Sequence, residues 1–588
     1  MDHTIRITFR SILGRNPARE DAFPNVSRAI GWLDPCAVSI DMPSFSIEVL
    51  GVAVLTGVLW TLVRRSRRKT VLDNIPGPPS ESWLNGSLDQ LMNRKAWDFN
   101  RHIAETYGSV SRIKGTFGSN ALFVYDPKAL HHILIKDQHT YEEPNSVIEA
   151  NKVLFGEGLF TTHGERHRHH RKMLNPVFSI NHMREMVHIF YEVSHKLENT
   201  LVKMTERGPK EVDILGWNTR LAMELIGQSG LGYTFDTLEE GAIPHPFANA
   251  SKQLIPMSGD SPAIMSEWVV PTMTRIGSPR FRRFLVNCMP FKLVRTLRDI
   301  LDTIHSTAFE ILESKKKALR EGDGALAEHI GHGKDIISIL MKANMEASRD
   351  ERLTDAELLG QITSLTFAAT DTTSGALSRI LHILSTHRDY QTKVREEIRN
   401  AKKENGGEDI GYDTLVSLPL LDAICRETLR LYPPISNLFR TAVSDIVLPL
   451  SEPIKGLNGE EINEIPVPKN TSICVSILAS NRNPKLWGPD SYEWKPERWL
   501  NPLPQPLIDA HIPGVYSHLM TFLGGGRSCI GFKFSQLEMK VVLALLLDKL
   551  EFSPSDKSVV WHMTGIVTPH ENFESKYPIL PIVISRAD

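Results

Sequence analysis

The sequence is poor in cysteine. Its 588 residues include five, Cys36, Cys288, Cys425, Cys474 and Cys529, and no two of them form a CxxC pair. This scarcity excludes a secreted disulfide framework, and the spacing excludes zinc ribbons and thioredoxin-like motifs. The protein is therefore expected in a reducing compartment, and any cysteine that has a chemical role acts alone.

Net charge is almost absent as well. Because 67 Lys and Arg residues face 69 Asp and Glu residues, the formal charge is −2, which gives no overall field for nucleic acid. With 41% hydrophobic and 23% charged residues, the chain is neither disordered, collagen-like nor a polytopic membrane protein. Its length would allow about four domains. The lack of a long linker after Glu81 instead predicts one large body at residues 80–588.

One long apolar run stands out, at residues 42–63. Its 22 residues carry a single charge, Glu48, and five cations follow between Arg64 and Lys69. A helix rises about 1.5 Å per residue, so this run could cross a bilayer core. The flanking cations would place the rest of the chain in the cytosol. The sequence predicts a single transmembrane anchor, with a buried core helix or a signal peptide as alternatives.

The segments around this run are assigned more simply. Residues 64–79 form a basic and proline-rich hinge that ends in Pro76-Gly-Pro-Pro79. For the N-terminal extension at 1–41, two interpretations are open: an arginine-rich targeting segment, or upstream sequence lost because translation starts at Met42. Asn25 begins a glycosylation sequon, which would be used only if the extension exists and is lumenal.

The pattern of the body predicts a mainly α fold with small β-sheets. Helical periodicity dominates Arg94–Lys402, Leu420–Leu431 and Phe532–Leu550. Thr354 and Glu357 have the spacing of a capping box, and the apolar pattern behind them continues to about Ser385. Asn470–Leu478 is strand-like, and Asn458-Gly459 favours a type I′ hairpin turn.

The sharpest local feature is a glycine-rich loop that contains a cysteine. Residues 522–531 read Phe-Leu-Gly-Gly-Gly-Arg-Ser-Cys-Ile-Gly and lead into an apolar helix. Glycines let a backbone approach a large flat group without Cβ clashes, and the helix N-terminus stabilises a Cys529 thiolate. Arg527 is placed to meet an anionic group of the same ligand. A buried inert cysteine is the alternative, and the loop lacks the glycine spacing of phosphate sites.

This loop resembles FxxGxRxCxG, the haem-ligand signature of the cytochrome P-450 family, and it matches every fixed position: Phe522, Gly525, Arg527, Cys529 and Gly531. The resemblance implies that the Cys529 thiolate is the proximal ligand of the iron of haem b. It also implies that Arg527 pairs with a haem propionate, that Phe522 shields the sulfur, and that the body has the family's fold.

Two further segments are similar to structural elements of that family. Glu427 and Arg430 lie i,i+3 on one helix face, and Pro496-Glu-Arg498-Trp499 lies downstream. The family's ExxR and PERF elements form a Glu–Arg–Arg triad behind the haem. Glu427, Arg430 and Arg498 are therefore expected to form the same triad, with a solvated surface pair as the alternative for the first two.

The middle of the long helix carries an acid and alcohols. Residues 368–372 read Ala-Ala-Thr-Asp-Thr and resemble the family's (A/G)GxxT oxygen-activation motif, with Ala369 in place of the usual glycine. The resemblance implies that Asp371 and Thr372 are catalytic and deliver protons to bound oxygen. Ordinary helix packing is the alternative.

Four histidines lie close together at His163, His167, His169 and His170. Their spacing is neither HExxH nor HxxEH, which argues against a metal site. The segment is instead similar to the family's WxxxR helix, with His167 at the Trp position and Arg171 at the Arg position. Both would then bind haem propionates, with Arg440 as a third cation.

The motifs follow the family order over residues 76–588, so the resemblance implies a membrane-anchored haem-thiolate monooxygenase. It would insert one oxygen atom of O2 into a small lipophilic substrate such as a terpenoid. This substrate class is implied by the resemblance alone, since the fold does not determine it. By the same resemblance, the catalytic domain would lie on the cytosolic side of the endoplasmic reticulum membrane. Its electrons would come from an NADPH–cytochrome P-450 reductase, which a cytochrome b-type donor could assist.

Two other functions stay open at this point. A haem-thiolate isomerase or dehydratase would work without a reductase, although Thr372 argues against it, and a haem sensor would not be catalytic. The resemblance also suggests which residues contact the substrate: Thr363, Thr366, Phe367, Ile435, Asn437, Leu438, Phe439 and Met563–Ile566.

Overall fold

The structure is a computed structural model that describes, apart from Gly57, residues 69–259, 265–321 and 334–587. Internal packing divides the chain into two units, Met1–Thr61 and Leu62–Asp588, and the elements given below belong to the second. The expected extension at 1–41, the expected anchor at 42–63 (Gly57 apart) and residues 64–68 of the hinge lie outside the described residues. Within the described ranges, no helix combines the length and apolar character needed to cross a membrane.

Most of the second unit is helical. The described α-helices up to residue 346 are α1 Leu88–Leu91, α2 Trp97–Tyr107, α3 Pro127–His131, α4 Asn145–Phe155, α5 Gly164–Leu174, α6 Ile180–Met204, α7 Ile214–Leu225, α8 Pro246–Gly259, α9 Val270–Met273, α10 Pro279–Cys288, α11 Lys292–Glu321 and α12 Ile336–Glu346. Those after it are α13 Asp355–Thr386, α14 Arg388–Glu404, α15 Tyr412–Ser417, α16 Pro419–Leu431, α17 Ile477–Asn481, α18 Pro484–Trp487, α19 Gln505–Asp509 and α20 Phe532–Lys549.

The strands form small sheets. They are β1 Val110–Lys114, β2 Asn120–Val124, β3 Tyr141–Glu142, β4 Lys210–Asp213, β5 Asn437–Ala442, β6 Ile446–Lys455, β7 Glu461–Val467, β8 Ser472–Ser476, β9 Leu550–Pro554, β10 Val560–Met563, β11 Val567–His570 and β12 Pro581–Arg586. The largest described sheet has the order β1-β2-β8-β5-β3, in which β2 and β8 are parallel with Leu122 opposite Ile473. The others are β4-β12-β9, β10-β11 and β6-β7.

Helix α13 lies in the middle of the unit, where it packs against α7, α11, α20 and β9. Its start is fixed as expected. The Thr354 hydroxyl accepts a hydrogen bond from the Glu357 N–H at 3.3 Å, and the Glu357 carboxylate accepts one from the Thr354 N–H at 2.9 Å. The same carboxylate also binds Arg166 and His170 of α5. The first turn of α13 is therefore joined to α5.

The mainly helical class with small sheets is confirmed, but one local prediction is wrong. Helices dominate the span Arg94–Lys402 as predicted, with the short strands β1 to β4 between them. The turn at Asn458-Gly459 is not type I′, since only Gly459 has a positive φ, of 87°. The Asn458 side-chain oxygen accepts a hydrogen bond from the Asn74 side chain, and the backbone N–H of Asn458 donates one to the Asn74 side-chain oxygen. These tertiary contacts hold Asn458 outside the left-handed region.

Candidate active site

The cysteine loop is held by its own backbone and by two distant segments. The Cys529 N–H donates to the Phe522 carbonyl at 2.9 Å, and Gly531 caps α20 directly afterwards. A Cβ atom on Gly524 would lie 1.4 Å from the Pro513 carbonyl oxygen. One on Gly525, where φ is +70°, would lie 1.8 Å from that of Leu134. These glycines therefore allow protein backbone to approach, whereas the sequence suggested a cofactor at this position.

A cavity lies between this loop and α13. It is lined from the loop by Phe522, Arg527, Ser528, Cys529, Ile530 and Gly531, and from α13 by Ser364, Leu365, Ala368, Ala369, Thr372 and Thr373. Loops and neighbouring helices add Leu159, Phe160, Phe178, Ile226 and Phe534. The structure thus brings the cysteine motif and the alanine–threonine motif, about 160 residues apart in sequence, to opposite sides of one mostly apolar space.

Cys529 is exposed by its accessible surface, yet burial raises the pKa of its thiol. The two observations agree because the exposed surface faces the cavity while protein encloses the residue. The Gly531 N–H and the charge of Arg171 act in the opposite direction and lower the pKa. A thiol in this position is therefore poised to become a thiolate when a cation in the cavity binds it.

Cations border the cavity where an anionic group would fit. His167, Arg171 and Arg527 line both the cavity and an adjoining groove, and Arg440 lines the groove. Burial, followed by the charges of Arg527 and Arg171, lowers the pKa of His167 to about 3, so its imidazole is neutral. Three guanidiniums, a neutral imidazole and a thiol, arranged around the cavity and its adjoining groove, fit a planar cofactor that carries an iron and two carboxylates, as haem does.

Two acids, which the sequence analysis did not identify, lie among these cations. Glu143 lines the cavity and is 3.3 Å from Arg527 and 3.9 Å from Arg440. Glu142 is 3.5 Å from Arg527 and hydrogen-bonds to His163 at 3.1 Å. Although burial alone would raise the pKa of Glu142, these contacts lower it. The cationic cluster is therefore partly neutralised by the protein itself.

The acid–alcohol pair is only partly brought to the cavity. Thr372 lines it, and the Thr372 hydroxyl donates to the Ala368 carbonyl at 2.8 Å, which leaves its oxygen free to accept a hydrogen bond. Asp371 is not among the cavity-lining residues, and its Oδ2 is buried without a partner. Burial raises the pKa of Asp371 to about 7, although the charge of Lys252 opposes this shift.

We expect this raised pKa to appear in the pH dependence of stability. Between about pH 4 and pH 7 the folded chain keeps a proton on Asp371 that the unfolded chain has lost, so the carboxyl lowers stability as pH rises through 7. Asp371→Asn should therefore gain stability relative to wild type between pH 5 and pH 8. Thermal unfolding of both proteins across that range measures the effect. A difference independent of pH would contradict it.

The Glu427 carboxylate lies at the centre of a buried network. Arg430 binds it through Nε at 2.8 Å and Nη2 at 2.7 Å, Arg498 lies 3.5 Å away, and Trp499 donates to it at 2.9 Å. Arg430 also donates to the carbonyls of Asn481, Ser491 and Glu493, so all five of its N–H groups are used. Glu427 and Arg430 are fully buried, which rules out the surface-pair alternative.

None of the residues suggested for substrate contact is among those that line this cavity. Ser364 and Leu365 line the cavity, whereas the Thr363 hydroxyl donates to the Phe155 carbonyl at 2.6 Å. Leu159, Phe160, Phe178 and Ile226 also line the cavity but were not identified from the sequence. Apolar character alone did not distinguish them from other core residues.

Comparisons with known proteins agree with this geometry. The family model described as Cytochrome P450 matches residues 76–577. The chain is 50% identical to Cytochrome P450 monooxygenase 91 of Postia placenta, over 92% of this chain and 99% of the relative. It is 47% identical to Cytochrome P450 monooxygenase 212 of the same fungus, over 90% and 97%. It is 42% identical to a ganoderic acid synthetase of Ganoderma lucidum, over 91% and 98%.

Proposed function

The chain belongs to the cytochrome P450 family as a haem-dependent monooxygenase, and from this premise we propose that it inserts one oxygen atom of O2 into a small lipophilic substrate of the terpenoid type. The observation that carries the proposal is the cavity with Cys529 on one side and Thr372 on the other. Its walls are largely apolar, and one relative is named for the synthesis of an acid. Electrons would come from an NADPH–cytochrome P-450 reductase, which a cytochrome b-type donor could assist.

One side of the cavity would bind the cofactor and the other would bind the substrate. When bound, haem supplies the reductive activation of O2. On the proximal side, Cys529 would ligate the iron, while Arg171, Arg440, Arg527 and His167 would bind the two propionates. Gly525 and Gly531 would shape this loop, and Phe522, which lines the cavity, would shield the sulfur. On the distal side, Leu159, Phe160, Leu365 and Ile226 would orient the substrate and exclude water.

The Thr372 hydroxyl would hold and pass protons at the cavity wall. Thr372→Ala should divert electrons from product to hydrogen peroxide and lower coupling several-fold, because no hydroxyl then faces the cavity at this position. Peroxide and NADPH consumption are measured together. Thr370→Ala is a matched control, since that hydroxyl also bonds to its own helix, at the Thr366 carbonyl, but does not line the cavity. Equal coupling in both variants would count against the role of Thr372.

The decisive test of the function is product analysis with a panel of lipophiles in the presence and absence of reductase and NADPH. Product that needs both supports a monooxygenase. Product without them would favour an isomerase or dehydratase. Haem binding without product under either condition would favour a sensor.

We further propose that residues 42–63 anchor the protein in the endoplasmic reticulum membrane, that residues 64–79 are a hinge and that residues 80–588 form the cytosolic catalytic domain. The apolar run, with Glu48 as its single charge, and the five cations behind it support this proposal. The full-length protein should stay in the membrane fraction after carbonate extraction. A protein that lacks residues 1–63 should be released from that fraction. Retention after deletion would contradict the anchor, and glycosylation lost in Asn25→Gln would show that the extension is made and is lumenal.

A further inference from the structure

A buried guanidinium lies beyond the cavity on the same helix. Arg379 of α13 is 9% exposed, and no described residue forms a hydrogen bond or an ion pair with it. Its Nε is wholly buried without a partner. Arginine keeps its charge in proteins, and a donor that is buried in a low-dielectric interior without an acceptor is costly. Such a group is expected to have an acceptor in the working protein.

The surroundings of Arg379 are aromatic and cationic. Its Cζ lies 3.5 Å over the ring of Trp561 and 4.2 Å over that of Tyr432. Arg482 packs against the same tyrosine at 5.3 Å, but it donates to the Leu431 carbonyl. Burial lowers the pKa of nearby His382 to about 4, so that ring adds no charge. The rings cover faces of the guanidinium and leave donors at its edge, which is the geometry that binds a carboxylate through two hydrogen bonds.

Arg379 also lies on the same face of α13 as the residues that line the candidate substrate site. It follows Thr372 by seven residues, which is about two helical turns, so both lie on one face of α13 about 10 Å apart. The two rings belong to segments that border this face. Tyr432 precedes the turn at Pro433-Pro434, and Trp561 is in β10; β11 pairs with β10 and donates from the Val567 N–H to the Pro434 carbonyl at 2.9 Å.

We infer that Arg379 is an anion subsite that takes the carboxylate of a lipophilic acid whose other end reaches the Thr372 side of the cavity. The inference rests on the proposed function and narrows the substrate to lipophilic acids. Neither Cys529 nor the propionate cations take part in it.

The test compares acids with their methyl esters on the full-chain haem protein. Dodecanoic acid, hexadecanoic acid and dehydroabietic acid, each beside its methyl ester, are titrated at pH 8 while the shift of the Soret band is followed. Wild type should bind at least one acid about tenfold more tightly than its ester, the low end for a charge-assisted hydrogen-bond pair. In Arg379→Gln this preference should fall to within about twofold, because glutamine cannot supply the charge.

Arg482→Gln is the matched control, because Arg482 packs against the same ring but already donates to a carbonyl, and it should keep the preference. Should Arg379→Gln fail to fold, Arg379→Lys retains the charge without the fork and should reduce the preference several-fold. Equal affinity for acid and ester in every wild-type pair, no shift with any acid, or a preference that survives in Arg379→Gln would overturn the inference.

A small inorganic anion is the competing occupant. If chloride stabilises wild type but not Arg379→Gln against thermal unfolding, and acids are not preferred over esters, the subsite holds a free ion and the inference fails. These titrations need no reductase. A failed inference is therefore distinguishable from a failed monooxygenase assignment, which would show as absence of reductase-dependent product.

Discussion

Cys529→Ala should abolish the red-shifted Soret band of the reduced carbon monoxide complex. In the described structure, Cys529 is the one cysteine that lines the cavity opposite α13. Cys425 and Cys474 are buried elsewhere, and burial raises the pKa of the Cys425 thiol to about 12, so neither can replace it. The proposed Cys529 thiolate would donate electron density to the iron, so without it both the band and reductase-driven turnover should disappear.

Cys288→Ser provides the control for this experiment, because that residue is exposed at the end of α10 and does not line the cavity. It should leave the band unchanged. Haem content, measured after extraction, separates lost ligation from lost binding. A red-shifted band that survives in Cys529→Ala would show that another residue ligates the iron.

Glu427→Gln should destabilise the protein by about 3–5 kcal/mol, the usual cost of removing one partner from a buried ion pair. The substitution keeps the shape of the side chain but removes the charge that Arg430 and Arg498 face, and it turns an amide N–H₂ toward their donors. Arg430 has no exposed surface through which it could be solvated. The midpoint of urea unfolding, followed at the haem band, gives the loss.

Asp413→Asn is a suitable comparison, since the Asp413–Arg184 pair at 2.9 Å is exposed to solvent and should matter little. If Glu427→Gln and Asp413→Asn lower the free energy of unfolding equally, the buried network around Glu427 contributes no more to stability than an exposed ion pair. If Glu427→Gln yields no soluble protein, the conservative Arg498→Lys variant keeps the charge and should show a smaller loss of the same sign.

The sequence predicted elements whose signals are local. The capping box at Thr354, the end of α16 at Leu431 and the start of α20 at Phe532 match their expected positions to within one residue. Each depends on neighbours within one or two turns of helix. The resemblance in turn identified residues that the structure brings together around one cavity, although they come from widely separated segments.

Features that depend on distant contacts were not predicted. Strands β1 and β2 are short and pair with each other, and β2 also pairs with β8, so their sequences carry little signal of their own. Glu142 and Glu143 are ordinary acids in the sequence and gain meaning only beside Arg527. The glycines of the cysteine loop were assigned from the sequence to the approach of a cofactor, whereas Gly524 and Gly525 lie against the carbonyls of Pro513 and Leu134, which no local pattern reveals.

The way in which Gly524 and Gly525 fit against these carbonyls has an evolutionary consequence. The cysteine loop is positioned by main-chain atoms, which substitution does not alter, whereas the distal wall is formed by side chains such as Phe160, Ile226 and Leu365. Selection can therefore change the shape of the distal wall one residue at a time while the loop stays in register. A directed library that randomises only those wall positions should yield new substrate preferences at little loss of folded protein.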